Sequence, residues 1–169
     1  MTKLAAAHAA DYRWNSDLED RLRRFYEDYT ACLDDGEFER WPSFFTEEAQ
    51  YQIISRENHQ RGLPMAAMSC DGIGMIKDRV TALVRVLVYE PRYWRRYVTS
   101  VRVLSAGKGL IKSRANFLLL EAMLDREPQI NMLGQYIDAI VEGEDRFLIQ
   151  DRRCVYDNAR ILTTLLAPV

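Results

Sequence analysis

The longest regular pattern of apolar positions runs over residues 16–35, where hydrophobic side chains recur at spacings of three and four. This periodicity places them on one face and predicts an amphipathic α-helix. Ser16 and Glu19 have the Ser-x-x-Glu spacing of a capping box, and Gly36 is placed to end the helix. The apolar face consists of Leu18, Leu22, Phe25, Tyr29 and Leu33.

Two further helices and one short strand are predicted in the first half of the chain. Residues 37–45 form a short helix that turns Phe38, Trp41, Phe44 and Phe45 inward, and residues 50–55 follow as a strand. Residues 72–88 carry the third helix. Its broad apolar face contains Met75, Ile76, Val80, Leu83, Val84 and Leu87.

The second half of the chain changes to strand-like segments rich in β-branched and aromatic residues. Short polar turns containing glycine, aspartate or proline separate them, which predicts antiparallel hairpins. Helices first and a curved meander last predict an α+β fold with the helices on one face of the sheet. We therefore expect one domain over residues 16–169 after a flexible tail of residues 1–15. The predicted strands are 97–105, 111–124, 129–142 and 146–157.

Composition narrows the classes of function. The net charge of −2 provides no broad attraction to nucleic acid or anionic lipid, and no apolar run reaches the roughly 20 residues that span a bilayer. The three cysteines are far apart and odd in number, which favours reduced, buried thiols in a cytoplasmic protein: Cys32, Cys70 and Cys154.

Metal and nucleotide sites are disfavoured in this chain. His8 and His59 are the only histidines, and His8 lies in the predicted tail, so a two-histidine, one-carboxylate iron site lacks ligands. No Cys-x-x-Cys pair, glycine-rich dinucleotide motif or P-loop occurs. We expect no bound cofactor or metal ligand, so this chain alone is not a redox or nucleotide enzyme.

Two pairs of polar residues could carry out acid–base chemistry. Tyr136 and Asp138 are two apart on one predicted strand, and Asp151 and Arg153 are two apart on the next, so each pair shares a face. One interpretation is a general base with a hydrogen-bonding partner in an apolar interior. The other, which we favour because no further group converges on either pair, is cross-strand polar pairing on a solvated or subunit-facing surface.

Two charge-dense segments remain, "SRENHQRGLP" at 55–64 and "YEPRYWRRY" at 89–97. In the first, His59 would titrate and Glu57 orient it if it were an active site. The second could form a merely solvated strand edge or, less in keeping with the negative net charge, bind RNA by stacking. Since no nucleophile adjoins His59, and arginine and aromatic residues are enriched at protein interfaces, we favour subunit docking for both. The candidate interface residues are Arg56, Glu57, Asn58, His59, Arg61, Arg92, Tyr93, Trp94, Arg95 and Arg96.

An ordered set of segments resembles the small (beta) subunits of aromatic-ring-hydroxylating dioxygenases. The segments are "FYEDYTACLDDGEFERWPSFFTEEAQYQI", "RENHQRGLP", "GMIKDRVTAL", "RRYVTSVRV" and "RFLIQDRRCVYDN", from about Leu18 to the end of the chain. The chain looks most similar to the salicylate 5-hydroxylase and terephthalate dioxygenase branch, on the segments Trp41–Thr46, Arg56–His59 and Lys77–Arg79.

The resemblance implies a cone-shaped fold of the NTF2-like, ketosteroid-isomerase-like kind. It also implies a partner: a large (alpha) subunit with a Rieske [2Fe-2S] cluster and a mononuclear non-haem Fe(II), in an alpha3beta3 hexamer supplied with electrons by a ferredoxin or reductase. This chain would then be a non-catalytic supporting subunit. The alternative is a free-standing isomerase- or dehydratase-like enzyme that uses the cone interior, since one fold hosts many functions.

Overall fold

The computed structural model describes residues 16–86, 90–143, 145–161, 165 and 167–169. The predicted flexible tail, His8, and Leu87 to Tyr89 lie outside the described residues. The helices and strands follow one another along the chain as α1 (Ser16–Asp34), β1 (Phe45–Ser55), α2 (Arg56–Gln60), β2 (Met68–Asp71), α3 (Gly72–Thr81), β3 (Arg92–Gly107), β4 (Leu110–Met123), β5 (Arg126–Glu142) and β6 (Phe147–Tyr156).

The predicted first helix is confirmed as α1, which begins at Ser16 and ends at Asp34. Gly36 follows with a φ of +76°, a left-handed conformation that glycine adopts without a steric penalty. The predicted apolar face is buried, so α1 is the central element of the core. Its buried residues are Leu18, Leu22, Phe25, Tyr26, Tyr29, Thr30, Cys32 and Leu33.

The prediction of a second helix over residues 37–45 is wrong. Only Trp41–Phe44 form a single 3₁₀ turn, with Pro42 in its first positions. Proline lacks an N–H and fixes φ, so it is tolerated at the start of a helix but cannot lie within one. The chain becomes extended at Phe45, and the predicted strand 50–55 is therefore longer than expected, beginning at Phe45.

The third predicted helix is confirmed over Gly72–Thr81, and Ala82–Val86 continue it as one π-helical turn. Such turns appear as single-turn insertions at the ends of or within α-helices. Ile76, Val80 and Leu83 face the core, while Met75 and Val84 are exposed. The inward face is thus narrower than the periodicity predicts.

The six strands form one sheet in the order β2-β1-β6-β5-β4-β3. The four strands of the second half pair antiparallel in sequence, which confirms the predicted meander. β1 joins it parallel to β6, with Tyr51 opposite Arg152, and β2, which the sequence analysis missed, pairs antiparallel with β1. Interruptions of register in β1, β3, β4 and β5 supply bulges, which bend strands and increase their twist. The sheet wraps around α1, and the predicted α+β class is confirmed.

One glycine marks the tightest approach within the sheet. A Cβ at Gly134 of β5 would lie 2.0 Å from the carbonyl oxygen of Val155 and 2.8 Å from the Cα of Tyr156. Only a residue without a side chain allows β6 to approach β5 this closely. Phe117 of β4 is opposite Gly134, and its ring stacks on that of Tyr136 with ring centroids 4.7 Å apart.

Candidate functional site

A polar cluster lies inside the curved sheet, where an apolar interior was expected. Asp138 on β5 is opposite Arg152 on β6 and Ser113 on β4, and Tyr26 reaches it from α1. Arg152 donates from Nε to Oδ1 of Asp138 at 3.0 Å and from Nη2 to Oδ2 at 2.7 Å. The Tyr26 hydroxyl donates to Oδ2 at 2.5 Å and lies 3.0 Å from the Ser113 hydroxyl. The cluster is a buried ion pair with bidentate geometry.

Three tyrosine rings surround the Arg152 guanidinium. Its central carbon lies 4.1 Å from the ring centroid of Tyr29, 4.5 Å from that of Tyr136 and 5.2 Å from that of Tyr26. Burial lowers the pKa of Arg152, but Asp138, Tyr29 and Tyr26 together raise it above its usual value. Burial, reinforced by Asp138, raises the pKa of Tyr26 well above its usual value. The charge is therefore stabilised by one carboxylate and three aromatic faces.

Tyr136 and Asp138 share a face as predicted, but they do not form a base–partner pair. Both face the interior, and both carboxylate oxygens of Asp138 are occupied by Arg152 and Tyr26. The Tyr136 hydroxyl and Nη1 of Arg152 have no hydrogen-bond partner among the described residues. The pairing is cross-strand, as we favoured, but it lies in the core and not on a surface. Its geometry fits a structural ion pair.

Asp151 and Arg153 lie on the opposite, outer face of β6. Their side chains are partly exposed and 3.2 Å apart. They adjoin His59: partial burial first, and the charge of Arg153 second, lower the pKa of His59, while Asp151 opposes this. This pair is a surface contact.

The first charge-dense segment is helical over Arg56–Gln60. Ser55 accepts a hydrogen bond from the backbone N–H of Asn58 at 3.2 Å and caps α2, the preference of serine at this position. Of the five predicted docking residues, Arg61 pairs with Glu57 at 2.8 Å. Arg56 pairs with Asp157 on the neighbouring segment at 2.6 Å. Asn58 donates to the carbonyl of Met65 at 2.8 Å. The docking role of this segment stays a prediction.

The second charge-dense segment alternates between the two faces of β3. Trp94 and Arg96 point into the core, where Arg96 pairs with Asp34 of α1 at 2.5 Å. Arg92 pairs with the buried Glu121 at 3.1 Å. Tyr93 and Arg95 point outward. Part of the predicted interface thus stabilises the chain itself, and its outward side chains are the ones placed to meet a partner.

These outward side chains continue into a row that the sequence analysis missed. Tyr97 of β3 is opposite Leu118 of β4, which is opposite Leu133 of β5. Tyr93 is 62% exposed and Tyr97 54%. The sequence feature that could have revealed this row is the run "FLLL" at 117–120. It places apolar side chains on both faces of the strand, which is typical of a strand covered on both sides. We call the following residues the outer apolar patch: Tyr93, Tyr97, Leu118, Leu120, Ile130 and Leu133.

The interior also holds residues from the far end of the chain. Val169 is fully buried and hydrogen-bonds to Tyr29 and Tyr51. The predicted buried thiols are confirmed: Cys32, Cys70 and Cys154 are all buried and unpaired. Across the described ranges, no three histidine, cysteine or acidic side chains are grouped to hold a metal ion. In the same part of the chain, no helix is long and apolar enough to cross a membrane.

Comparisons with known proteins agree with this architecture. Residues 28–163 match the family described as ring hydroxylating beta subunit. The small subunit of anthranilate 1,2-dioxygenase from Burkholderia cepacia is 30% identical over 83% of this chain and 88% of its own. The beta 1 subunit of the terminal oxygenase component of terephthalate 1,2-dioxygenase from a Comamonas species is 26% identical over 88% of this chain and 96% of its own.

A solved structure confirms the fold that the resemblance implied. The beta subunit of an aromatic-ring-hydroxylating dioxygenase from Novosphingobium aromaticivorans superposes with a TM-score of 0.82 and is 31% identical. The alignment covers 90% of this chain and 96% of that one. The cone-shaped NTF2-like fold is therefore confirmed.

Proposed function

Since this chain belongs to the ring hydroxylating beta subunit family, which it matches over residues 28–163, we propose that it supports the large subunit of a Rieske-type aromatic oxygenase. Its role is to assemble with and stabilise that subunit. The bond-making chemistry takes place on the large subunit, which carries the Rieske [2Fe-2S] cluster and the mononuclear Fe(II).

The outer apolar patch is the observation that carries this proposal. It combines two tyrosines with aliphatic side chains on three adjacent strands. Exposed contiguous apolar surface is typical of protein–protein interfaces, and tyrosine is enriched at their centres. Arg95, opposite Leu120 on the same face, borders the patch and donates from Nη1 to the carbonyl of Asp34 at 3.2 Å. The patch therefore fits a lasting subunit contact.

The interior supports the same proposal over a free-standing isomerase or dehydratase. Both carboxylate oxygens of Asp138 are occupied by residues of this chain. The wall beside them is filled by stacked tyrosines and by Val169. A carboxylate that acts as a general base must be within hydrogen-bond reach of the proton that it abstracts. Here the carboxylate is committed to a buried arginine.

We extend the substrate class from the two curated relatives, whose names specify anthranilate and terephthalate, both aromatic carboxylates. The proposed reaction is hydroxylation of an aromatic carboxylate of the salicylate or terephthalate kind. The proposed assembly is an alpha3beta3 hexamer in the cytoplasm, supplied with electrons by a ferredoxin or reductase, without contact to nucleic acid or membrane.

The test is co-expression with a candidate large subunit followed by native mass spectrometry. Leu133→Asp should abolish the complex, because an unpaired carboxylate in an apolar interface is costly to desolvate. Leu124→Asp is the matched control, since Leu124 is 80% exposed in the β4–β5 turn outside the patch. Circular dichroism of each free variant shows that it is folded. Complex formation by Leu133→Asp at the level of wild type would contradict this use of the patch.

A further inference from the structure

Four cationic side chains lie together on the outer face of the sheet. Arg102 of β3 is opposite Arg114 of β4. Ile137 of β5 lies between Arg114 and Arg153 of β6 in the same row. Lys112 precedes Arg114 by two residues on β4, so its side chain is on the same face. We call Arg102, Lys112, Arg114 and Arg153 the cationic strip, and all four are at least partly exposed.

The cationic strip has little negative charge beside it. Asp151, 3.2 Å from Arg153, is the one acid among the described residues in the two rows that contain the strip. Arg102, Lys112 and Arg114 form no hydrogen bond or ion pair with another residue that the structure describes. Since the whole chain has a net charge of −2, this excess of positive charge is local to one face.

The positions of Arg102 and Arg114 are unfavourable for the free chain. Like charges that are directly opposite on antiparallel strands repel and destabilise the pair. Neither arginine offsets this repulsion through a contact within the described part of the chain. A carboxylate supplied from outside the chain would relieve it, so the arrangement indicates an acidic binding partner.

A hollow with an apolar lining lies within the cationic strip. Its volume is about 200 Å³, and Lys112 and Arg153 line it together with Leu104, Ile137 and Ala139. Small-molecule pockets measure roughly 300–1,000 Å³, so this hollow suits a single side chain better than a free ligand. The methylene groups of a glutamate could pack on the apolar lining while its carboxylate meets the two cations.

The cationic strip continues the outer apolar patch on the same face of the sheet. Arg114 and Leu118 are four residues apart on β4, which is about 13 Å at the rise of an extended strand. The row between them is polar, with Nε2 of Gln135 donating to Oδ1 of Asn116 at 3.0 Å. A standard interface covers about 800 Å² of each partner, a disc roughly 30 Å across. A partner that covers the patch therefore also reaches the strip.

We propose that the cationic strip binds an acidic segment of the same large subunit that covers the outer apolar patch, an inference that rests on the proposed function. The patch supplies apolar burial, whereas the strip supplies orientation. Charges at the edge of an interface chiefly set the rate of association and its dependence on salt. Association should therefore be salt-sensitive through this strip and not through the other arginines of the chain.

The experiment titrates the fluorescently labelled chain with the large subunit and follows anisotropy. The Kd of wild type should rise at least tenfold between about 0.05 M and 0.5 M salt, because salt screens charges at the surface. Arg114→Gln should weaken binding roughly threefold to tenfold at low salt and show a smaller salt effect. Arg24→Gln is the matched control. It removes the same charge from an exposed arginine of α1, on the other side of the sheet, and should behave as wild type.

The free chain provides a second measurement, which a merely structural role for Arg114 would move in the opposite direction. Arg114→Gln should raise the melting temperature by roughly 1–4 °C, because it removes the repulsion from Arg102. A lower melting temperature would show that Arg114 stabilises the chain itself, and it would overturn the proposal.

Equal affinities of Arg114→Gln and Arg24→Gln in a complex that otherwise forms normally overturn this inference and leave the proposed function intact. If wild type and the large subunit do not assemble at all, the proposed function fails and this inference fails with it. Binding of short single-stranded DNA to the free chain, lost in Arg114→Gln, would assign the strip to nucleic acid and overturn the proposal as well.

Discussion

Asp138 and Arg152 face each other across β5 and β6 with both side chains fully buried, joined by hydrogen bonds of 3.0 and 2.7 Å. Removing one member leaves an uncompensated buried charge, whereas replacing both with apolar residues of similar volume is often neutral or stabilising. Loss of either residue alone should therefore destabilise the fold, whereas replacement of both together should not.

Asp138→Leu should lower the free energy of unfolding by about 3–5 kcal/mol, because Arg152 remains buried without its carboxylate. The double variant Asp138→Leu/Arg152→Met should recover most of that loss. Guanidinium denaturation followed by circular dichroism measures both. A double variant no more stable than the single one would show that the pair itself, and not the orphaned charge, supplies the stability.

Gly134→Ala should destabilise the chain by about 1–3 kcal/mol, since its methyl group would lie 2.0 Å from the Val155 carbonyl oxygen and the two strands would have to separate. Gly74→Ala is the matched control. Gly74 lies in α3 with open space around its Cβ position, and alanine there should stabilise by about 0.5–1 kcal/mol. Thermal unfolding of both variants tests whether the two changes have opposite signs.

The three thiols should resist modification in the native chain. Burial raises the pKa of Cys154 to about 12 and that of Cys32 to about 11, and it also raises that of Cys70. The reactive thiolate is therefore scarce at pH 8. Titration with a disulfide reagent should find three reactive thiols only after denaturation. Rapid modification of Cys154 in the folded chain would contradict its placement in the core.

His59 should make stability fall as the pH is lowered. Partial burial and Arg153 lower its pKa in the folded chain below the value of about 6.5 expected when unfolded. The unfolded chain then binds the proton more tightly, so stability present above pH 6.5 is lost as the pH falls through the folded pKa. Between pH 7.5 and 5.5, His59→Gln should lose less stability than wild type. NMR titration should show a higher His59 pKa in Arg153→Ala.

Arg56→Ala should separate the stability of the chain from that of its complex. Arg56 and Asp157 form an exposed ion pair, so the free chain should lose at most about 1 kcal/mol. If α2 docks on the large subunit, the complex should dissociate more readily, while turnover per intact complex stays unchanged. His59→Gln serves as the comparison: a turnover loss of roughly 10²–10⁴ in a fully assembled complex would instead identify it as a general base.

Elements that local periodicity specifies could be predicted from the sequence. α1 and the four long strands appear near their predicted positions, because their apolar spacing and turn residues agree with the tertiary fold. The prediction of a helix over residues 37–45 was wrong because Pro42 overrides the apolar pattern there. β2 was missed because four residues carry too little pattern, and its pairing with β1 is a tertiary contact.

The candidate sites depended on contacts that a sequence does not encode locally. Alternation on β3 separates Trp94 from Tyr93, yet only the partners Asp34 and Glu121 show why Arg96 and Arg92 face inward. Nothing near Val169 in the sequence indicates that it meets Tyr29 and Tyr51, which are more than a hundred residues away. The composition of a charged segment therefore shows which interactions its side chains can make, but it does not show which of them face the core.

The parallel pairing of β1 with β6 sets the order in which the chain can mature during synthesis. Tyr51 leaves the ribosome about a hundred residues before its neighbour Arg152. At roughly 5–20 residues per second, β1 therefore waits about 5–20 seconds for its neighbour. During that interval the apolar face of α1 also lacks most of the sheet that covers it. We expect the nascent chain to be prone to aggregation through this exposed apolar surface until translation ends.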